Sequence, residues 1–370
     1  MTAPGIDLLL RPDYPDKSGG DLVLAREYAS ALNDAGLPAQ LRPLSAAAIA
    51  SGSGPAQVFN VDRFFEFASS AAALRAAGRP YVVAPIHHPV EWVDRFEHGR
   101  RPGGLRAIAA VGRTAFGRER IKHVVRRRDL AGVREALVLD VRSAIRVALE
   151  GAALIVVQAP GELAEVERTF GASIADRTVW VPNGVTVDES LDTGGIRDID
   201  VLVAGRIEER KNQLRIAQAF ASSRLKVTFV GGDNPRNAAY GAEFHRTVAA
   251  NENLQHVPHV SLEELRGLYV RSKVLFSASR FEVVSLAELE AVAYGCGLVT
   301  TVGGYMRDYL GDLAGYVDPG ASLEALLGAA ERAVADGGSA EAMALVREQY
   351  SWAACHRALV SAYRAMRLVQ

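Results

Sequence analysis

Short apolar runs alternate with amphipathic stretches along most of the chain. Ile6 to Leu10 reads as a first buried strand, followed by a loop from Arg11 to Gly20. Leu22, Ala25, Tyr28, Ala29 and Leu32 then recur at helical spacing up to Gly36. The same alternation predicts strands at Val58–Val61, Tyr81–Ile86, Leu154–Val157 and Val179–Val181, with helices at Phe64–Ala77 and Gly161–Thr169. Pro182-Asn183-Gly184-Val185 reads as a turn, and the polar stretch 186–199 as a linker. A second series follows. It has strands at Ile199–Ala204, Val227–Val230, Leu254–Val257, Val274–Phe276 and Leu298–Thr301, and helices at Gln213–Phe220 and Leu262–Arg271. Two doubly wound α/β domains are the economical reading.

One stretch of the second series carries more chemistry than the rest. Leu275 to Ser279 reads as a buried strand running into a loop, and Ser285-x-x-Glu288 is a capping-box pattern ahead of an apolar run. With Ser285 as N-cap, Glu282 lies in the loop, Glu290 in the helix's second turn, and Gly295 at its stop. Amides at such a helix start favour an anion, and two flanking carboxylates suit a ligand with phosphates and hydroxyls, such as a nucleotide sugar.

Composition narrows the class. The chain has 370 residues, 49% hydrophobic and 23% charged, enough for two globular domains. A formal net charge of −1 excludes a globally basic nucleic-acid binder, and no nucleic-acid partner is expected. Two cysteines, Cys296 and Cys355, suggest neither a disulfide framework nor a zinc cluster, and fit a reducing, cytoplasmic setting. No signal peptide and no spanning helix are read.

Other residues stand at strand ends, where open α/β sheets bind ligands. Gly205 to Asn212 follows the first strand of the second series, and its Arg206 and Lys211 can neutralise a diphosphate; a solvated charged turn has the same composition. Ser18-Gly19-Gly20 holds the equivalent place in the first series. His87-His88 ends a strand, where either ring can bond a sugar hydroxyl or serve a structural purpose; no third ligand stands at metal spacing. From Gly99 to Arg128 there are ten Lys or Arg and one acidic residue, Glu119, with apolar residues between. Such a segment can lie on an anionic membrane surface, bind a phosphorylated acceptor, or form a solvated face. Cys296, in an apolar context with no histidine nearby in sequence, reads as packing.

Taken together, Ser18-Gly19-Gly20, Pro182-Asn183-Gly184-Val185, Arg206 with Lys211-Asn212, and the Glu282-x7-Glu290 pair resemble the group 1 (family 4) retaining glycosyltransferases of the GT-B fold. The resemblance spans nearly the whole chain and is strongest from Val179 to Asp318. It implies two Rossmann-like domains facing across a cleft: an acceptor domain over 1–185, a nucleotide-sugar donor domain over 186–352, and a final helix, 353–370, returning to the first. It implies that Arg206 and Lys211 clamp the donor diphosphate, that Glu282 contacts the transferred sugar, and that Glu290 accepts from the ribose hydroxyls. Amides near Val284, Ser285 and Leu286 would serve the phosphates, and Gly19 and Gly20 would let the first loop close on the donor. Asn183 belongs to the same substrate-binding set. His87 matches the family's strand-end histidine, with His88 as substitute.

The resemblance implies a hexosyl transfer in bacterial cell-surface polysaccharide or glycolipid synthesis. The acceptor would be a glycan, a lipid-linked sugar or a small molecule, with peripheral contact at the inner membrane face through 99–128. No cofactor and no metal are expected, the donor being a co-substrate, and no Asp-x-Asp cluster is read as demanding one. One departure stands out: where the family has small residues after the first glutamate, this chain has Val283-Val284. The rival readings are a sugar-nucleotide epimerase or phosphorylase, and a non-catalytic binding subunit of the same fold.

Overall fold

Four mostly apolar runs of the first series become interior strands of a parallel sheet, buried on both faces. The computed structural model describes residues 5–14, 19–99, 140–191 and 194–366. In it, β1 (Ile6–Leu10), β3 (Ala56–Phe59), β4 (Tyr81–Ala84) and β5 (Leu154–Val157) are buried along their whole length. With β2 (Ala39–Pro43) and β6 (Thr178–Trp180) they form a six-stranded sheet in the order β2-β1-β3-β4-β5-β6, every pairing parallel. A second six-stranded parallel sheet has the order β12-β11-β10-β7-β8-β9. Its strands are β7 (Ile199–Ala204), β8 (Val227–Val230), β9 (Leu254–Val257), β10 (Ser272–Phe276), β11 (Gly297–Thr301) and β12 (Gly315–Val317).

The chain divides into two units, Met1–Asn183 with Cys355–Gln370, and Gly184–Ala354. The described helices of the first are α1 (Gly20–Asp34), α2 (Ala46–Ser51), α3 (Phe64–Ala76), α4 (Val90–Gly99), α5 (Val141–Glu150) and α6 (Pro160–Phe170). Those of the second are α7 (Gln213–Phe220), α8 (Ala238–Ala249), α9 (Leu262–Arg271), α10 (Leu286–Ala293), α11 (Met306–Leu310), α12 (Leu323–Asp336) and α13 (Ala340–Gln349). The last helix, α14 (Trp352–Ala365), starts in the second unit and ends in the first. There Tyr363 donates to Gln57 Oε1 at 2.7 Å, His356 meets Glu27 at 3.0 Å, and Arg364 donates to Ala35 O at 3.1 Å.

Each unit has its own core. In the first, Phe64, Phe67, Leu74, Ile145, Leu149 and Phe170 pack on β3, β4 and β5. In the second, Ile216, Phe220, Phe244 and Phe276 pack around β7, β8 and β10, with Phe220 edge-on to Phe276 and Phe229 edge-on to Phe244. A buried ion pair stands at the start of the first sheet. Arg79 bonds Asp7 Oδ2 at 2.8 Å and the carbonyls of Gly54 and Ile49. The glycine of the Pro-Asn-Gly-Val turn has a steric reason: a Cβ on Gly184 would lie 2.6 Å from the Trp352 ring.

The basic stretch from Gly99 to Arg128 lies, after Gly99, outside the described residues, as does Ser18.

Candidate active site

Strand order determines which loops meet. In the second sheet β7 runs on to β8 and β9 on one side, and the chain then crosses back to place β10 on the other side of β7. The loops after β7 and β10 therefore leave neighbouring strands in opposite directions and open a crevice at the carboxyl ends.

Backbone contacts join these loops. Gly205 and Gly231 take φ of +140° and +137°, and a Cβ on Gly231 would lie 2.3 Å from Gly205 O, so only glycine fits there. Ile207 N donates to Gly232 O at 3.0 Å and Arg280 N to Arg210 O at 2.7 Å. Asn212 sits in the left-handed region, φ 62°, and its amide reaches Ala278 O at 2.9 Å and Pro319 O at 3.0 Å. Its part is to join loops.

The charged side chains converge on Glu282. Lys211 Nζ donates to its Oε1 at 2.5 Å, and Arg210 Nη1 to the same oxygen at 2.8 Å. Arg210 also reaches Glu208, which is buried, at 3.2 Å, and Asn234 holds the other Glu208 oxygen at 2.7 Å. Burial works against the charge of Arg210, but Glu282 and Glu208 outweigh it and raise its pKa. Arg206 is the outlying cation, its side chain 64% exposed and 3.7 Å from Glu208.

Glu290 has different company. Tyr269 donates to its Oε2 at 3.1 Å, and burial raises its pKa against that bond and the field of Arg266. Val283 and Val284 are buried, and Tyr305 N donates to Val283 O at 3.0 Å, which fixes the loop between the two glutamates.

The expected capping box does not form. Ser285 is the N-cap of α10, but its side chain caps nothing. Glu288 instead turns inward, 3% exposed, where Thr300 donates to its Oε2 at 2.7 Å. A tertiary partner on β11 has won over the local pattern.

Cys296 is buried, donates to Tyr269 O at 3.1 Å, and burial pushes its thiol up to about 12, so it is no nucleophile at neutral pH. One Asp-x-Asp run is present after all, Asp198-Ile199-Asp200. It stands at the amino end of β7, Asp198 paired with Arg271 and Asp200 with Lys273, away from the ligand-binding ends of the strands. Among the described residues no group of three His, Cys, Asp or Glu side chains is arranged to hold a metal ion.

In the first unit the sheet order reverses between β1 and β3. The loops after them approach where Arg63 lies 3.9 Å from Asp13. Gly19 caps α1 in extended conformation, and a Cβ there would lie 2.6 Å from Asp21 Oδ1; one on Gly20 would meet nothing within 4 Å.

Two residues that sequence reasoning passed over organise the histidine pair. Asp62 Oδ1 meets His87 Nδ1 at 2.5 Å, and its Oδ2 meets His88 Nδ1 at 2.7 Å. Glu162, fully buried, accepts from the His87 and Gln158 amides at 2.8 and 2.6 Å. The signal was available, since Asp62 stands just past the end of β3. Burial works against Asp62's charge, but the two imidazoles outweigh it and hold its carboxyl well below the usual range. Burial also opposes charge on His87, and Asp62, with Glu162 and Glu165 beyond, outweighs it and raises the pKa. Burial pushes Glu162 up to about 7 against its two amide bonds.

Asn60, φ 72°, and Ile86, φ 46°, take left-handed backbone just before these residues. For a β-branched side chain such as Ile86 this costs about 1–3 kcal/mol. The His87 ring is fully buried between Asp62 and Thr169, whereas the His88 side chain is 25% exposed. Asn183 is likewise buried, 3.5 Å from Gln158, at the last residue of the first unit.

This pair of parallel sheets defines the class: the chain has the GT-B fold of glycosyltransferases. Residues 195–348, most of the second unit, match the family model described as glycosyl transferases group 1. No curated protein matches the sequence. Among solved structures the chain is similar to a sucrose-phosphate synthase from Thermosynechococcus elongatus, at 16% identity and TM-score 0.71, covering 98% of this chain and 99% of that one. It is similar to HepE of Anabaena in complex with UDP-glucose, at 13% identity and TM-score 0.64, covering 98% and 100%. A lipopolysaccharide outer core galactosyltransferase, WaaB, aligns at 11% identity and TM-score 0.63, covering 98% and 99%. At these identities the structural likeness concerns the fold.

Proposed function

We propose that the protein is a retaining hexosyltransferase that takes its sugar from a nucleoside-diphosphate donor and needs no divalent metal. The observation that carries this reading is the convergence of Lys211 and Arg210 on Glu282 at the reversal point of the second sheet, with Arg206 exposed beside them. Cations gathered around a carboxylate at the carboxyl ends of the strands suit a diphosphate joined to a sugar. HepE, solved with UDP-glucose, lends support to a nucleotide-sugar donor.

In the reaction the anomeric C–O bond to the diphosphate breaks, and the acceptor oxygen bonds to the same carbon on the same face. The acceptor's proton passes to the departing phosphate. Little covalent chemistry falls to the protein; Arg206 and Lys211 neutralise charge growing on the leaving group, and Glu282 orients the sugar. The second carboxylate, Glu290, held on one oxygen by Tyr269, receives the ribose hydroxyls.

The acceptor is a hydroxyl of a glycan, a lipid-linked sugar or a small molecule, in bacterial cell-surface polysaccharide or glycolipid synthesis. The ten basic residues from Gly99 to Arg128 support peripheral contact with an anionic inner membrane face. Among the described residues no helix is long and apolar enough to cross a membrane.

A thermal-shift panel of UDP, GDP, ADP and TDP tests the donor, since a nucleotide at 100 times its Kd stabilises by about 2.7 kcal/mol. Transfer from the matching nucleotide sugar in EDTA, with the product's anomer read by NMR, tests the reaction. Silence across the panel, an inverted product, or loss of activity in EDTA overturns the corresponding part.

A further inference from the structure

Asp62 bridges two imidazoles. Its Oδ1 meets His87 Nδ1 at 2.5 Å, its Oδ2 meets His88 Nδ1 at 2.7 Å, and the same Oδ2 accepts from the His88 amide at 3.2 Å. An ionised carboxylate only accepts hydrogen bonds, so each Nδ1 carries its hydrogen. A neutral imidazole has one such hydrogen, which leaves Nε2 as an acceptor. The Nε2 of His87 meets Thr169 Oγ1 at 3.3 Å inside the protein. That of His88 belongs to a side chain 25% exposed, in the loop after β4.

The backbone around this trio is fixed from several sides. Among the described residues three non-glycine residues take left-handed backbone, and two of them, Asn60 and Ile86, stand just before Asp62 and His87. Asn60 N donates to Ala84 O at 2.9 Å and Val61 N to Pro85 O at 2.7 Å, which ties the two loops together. From α6, Glu162 and Glu165 hold the second loop at the His87 and Val90 amides, at 2.8 and 2.9 Å. Backbone strain held in place in this way gathers at ligand sites. The loops also leave the carboxyl ends of β3 and β4, next to the reversal of sheet order between β1 and β3, where open α/β sheets take ligands.

We propose that Asp62 is a positioning residue of the acceptor site: it holds His88 as the Nδ1–H tautomer, so that Nε2 accepts a hydrogen bond from a hydroxyl of an acceptor sugar. The inference rests on the transfer reaction proposed above and adds to it a group that recognises the acceptor. The hydroxyl is a neighbour of the reacting one, whose proton still passes to the departing phosphate. The contact therefore acts on acceptor binding rather than on turnover.

Substitution by Asn separates the two rings, because an amide has one accepting atom and one donating atom. Its oxygen keeps the place of Oδ2, where both the His88 amide and His88 Nδ1 donate, and its nitrogen faces His87. Only His87 then moves its hydrogen to Nε2, where Thr169 Oγ1 accepts it. Asp62→Ala withdraws the acceptor from both rings.

The first measurement needs no substrate. Long-range proton–nitrogen spectra of isotope-labelled histidine, at about pH 8, above the ordinary imidazole range, distinguish a bare ring nitrogen from one that bears hydrogen. His88→Ala assigns the His88 signals. The expected result is Nδ1–H for His88 in wild type and in Asp62→Asn, and loss of that fixed tautomer in Asp62→Ala. The second measurement is transfer from UDP-, GDP-, ADP- and TDP-glucose to the methyl glycosides of glucose, galactose, mannose and N-acetylglucosamine. For the pair that reacts, Asp62→Ala and His88→Ala should each raise the glycoside's KM about tenfold and change kcat about threefold or less, while Asp62→Asn stays within about threefold of wild type in both. Nε2–H for His88 in wild type overturns the inference, as does Nδ1–H retained in Asp62→Ala or an unmoved glycoside KM in His88→Ala. If Asp62→Ala does not fold, the wild-type tautomer and the His88→Ala KM decide. A donor that binds but reacts with none of the glycosides overturns this inference alone. Failure of all four donors to bind sinks the proposed transfer and the inference together.

Discussion

Replacing Glu282 by Gln removes the carboxylate that holds both Lys211 and Arg210, and the structure gives the result an unusual sign. In the protein as described these cations sit 2.5 and 2.8 Å from Glu282 Oε1. A diphosphate bonded to Lys211 Nζ would lie roughly 5–6 Å from that oxygen, given ordinary charge-assisted hydrogen bonds. At that distance one charge repels another by about 1–3 kcal/mol for an effective dielectric between about 20 and 80. The site is partly open, the Glu282 side chain being 13% exposed, so solvent screening favours the lower half of the range. Glu282→Gln should therefore tighten nucleoside-diphosphate binding about five- to thirtyfold, each tenfold being about 1.4 kcal/mol. Turnover should fall by about a hundredfold, because the group that orients the sugar is gone. Calorimetric titration of the nucleoside diphosphate and initial rates with its hexose conjugate read the two effects separately, and a thermal melt checks that the variant is folded. Weaker diphosphate binding in the variant, or an unchanged rate, would refute the reading of Glu282 as a carboxylate that holds a diphosphate-binding cation.

Arg206→Ala and Lys211→Ala should each lower turnover by about a hundredfold. Arg206→Ala should leave the melting temperature in place, its side chain being mostly exposed; full activity in either variant counts against the clamp. His87→Ala should cost about 3 kcal/mol or more in urea unfolding, because it empties a buried site and strips Asp62 of one imidazole, whereas His88→Ala should cost less than half as much; equal losses would put the two rings on the same footing. Glu288, raised to about 7 in the folded state, keeps a proton that the unfolded chain releases near its ordinary value of 4.5. Its contribution to stability therefore falls as pH rises between those two values, and Glu288→Gln should gain on wild type between pH 5 and pH 8; a gap in urea stability that does not widen refutes the burial assigned to it.

The interior strands were legible because burial on both faces forces runs such as Leu154-Ile155-Val156-Val157. The edge strand β2 was not, since its Ala39-Gln40-Leu41-Arg42-Pro43 is half exposed and carries no such run. Helix α8 escaped for a related reason: it buries only Gly241, Phe244 and Val248, too thin a stripe to read as amphipathic. At the proposed site, Arg206, Lys211, Glu282 and Glu290 were each singled out from local patterns. Who meets whom was not, and could not be. Arg210 stood inside the quoted run yet looked like any surface cation until β10 brought Glu282 to it. Glu288 matched a capping box by every local rule, and lost that role to a threonine on β11. Asp62 and the histidine pair stand at the ends of β3 and β4, neighbours in the sheet. In each case the missing information is strand order. Hydrophobic periodicity specifies that a strand exists, but a parallel sheet buried on both faces presents much the same apolar run at every interior position. Which two loops share a crevice is decided by where the chain crosses back, and that is set by the packing of whole helices rather than by any residue in the loops themselves.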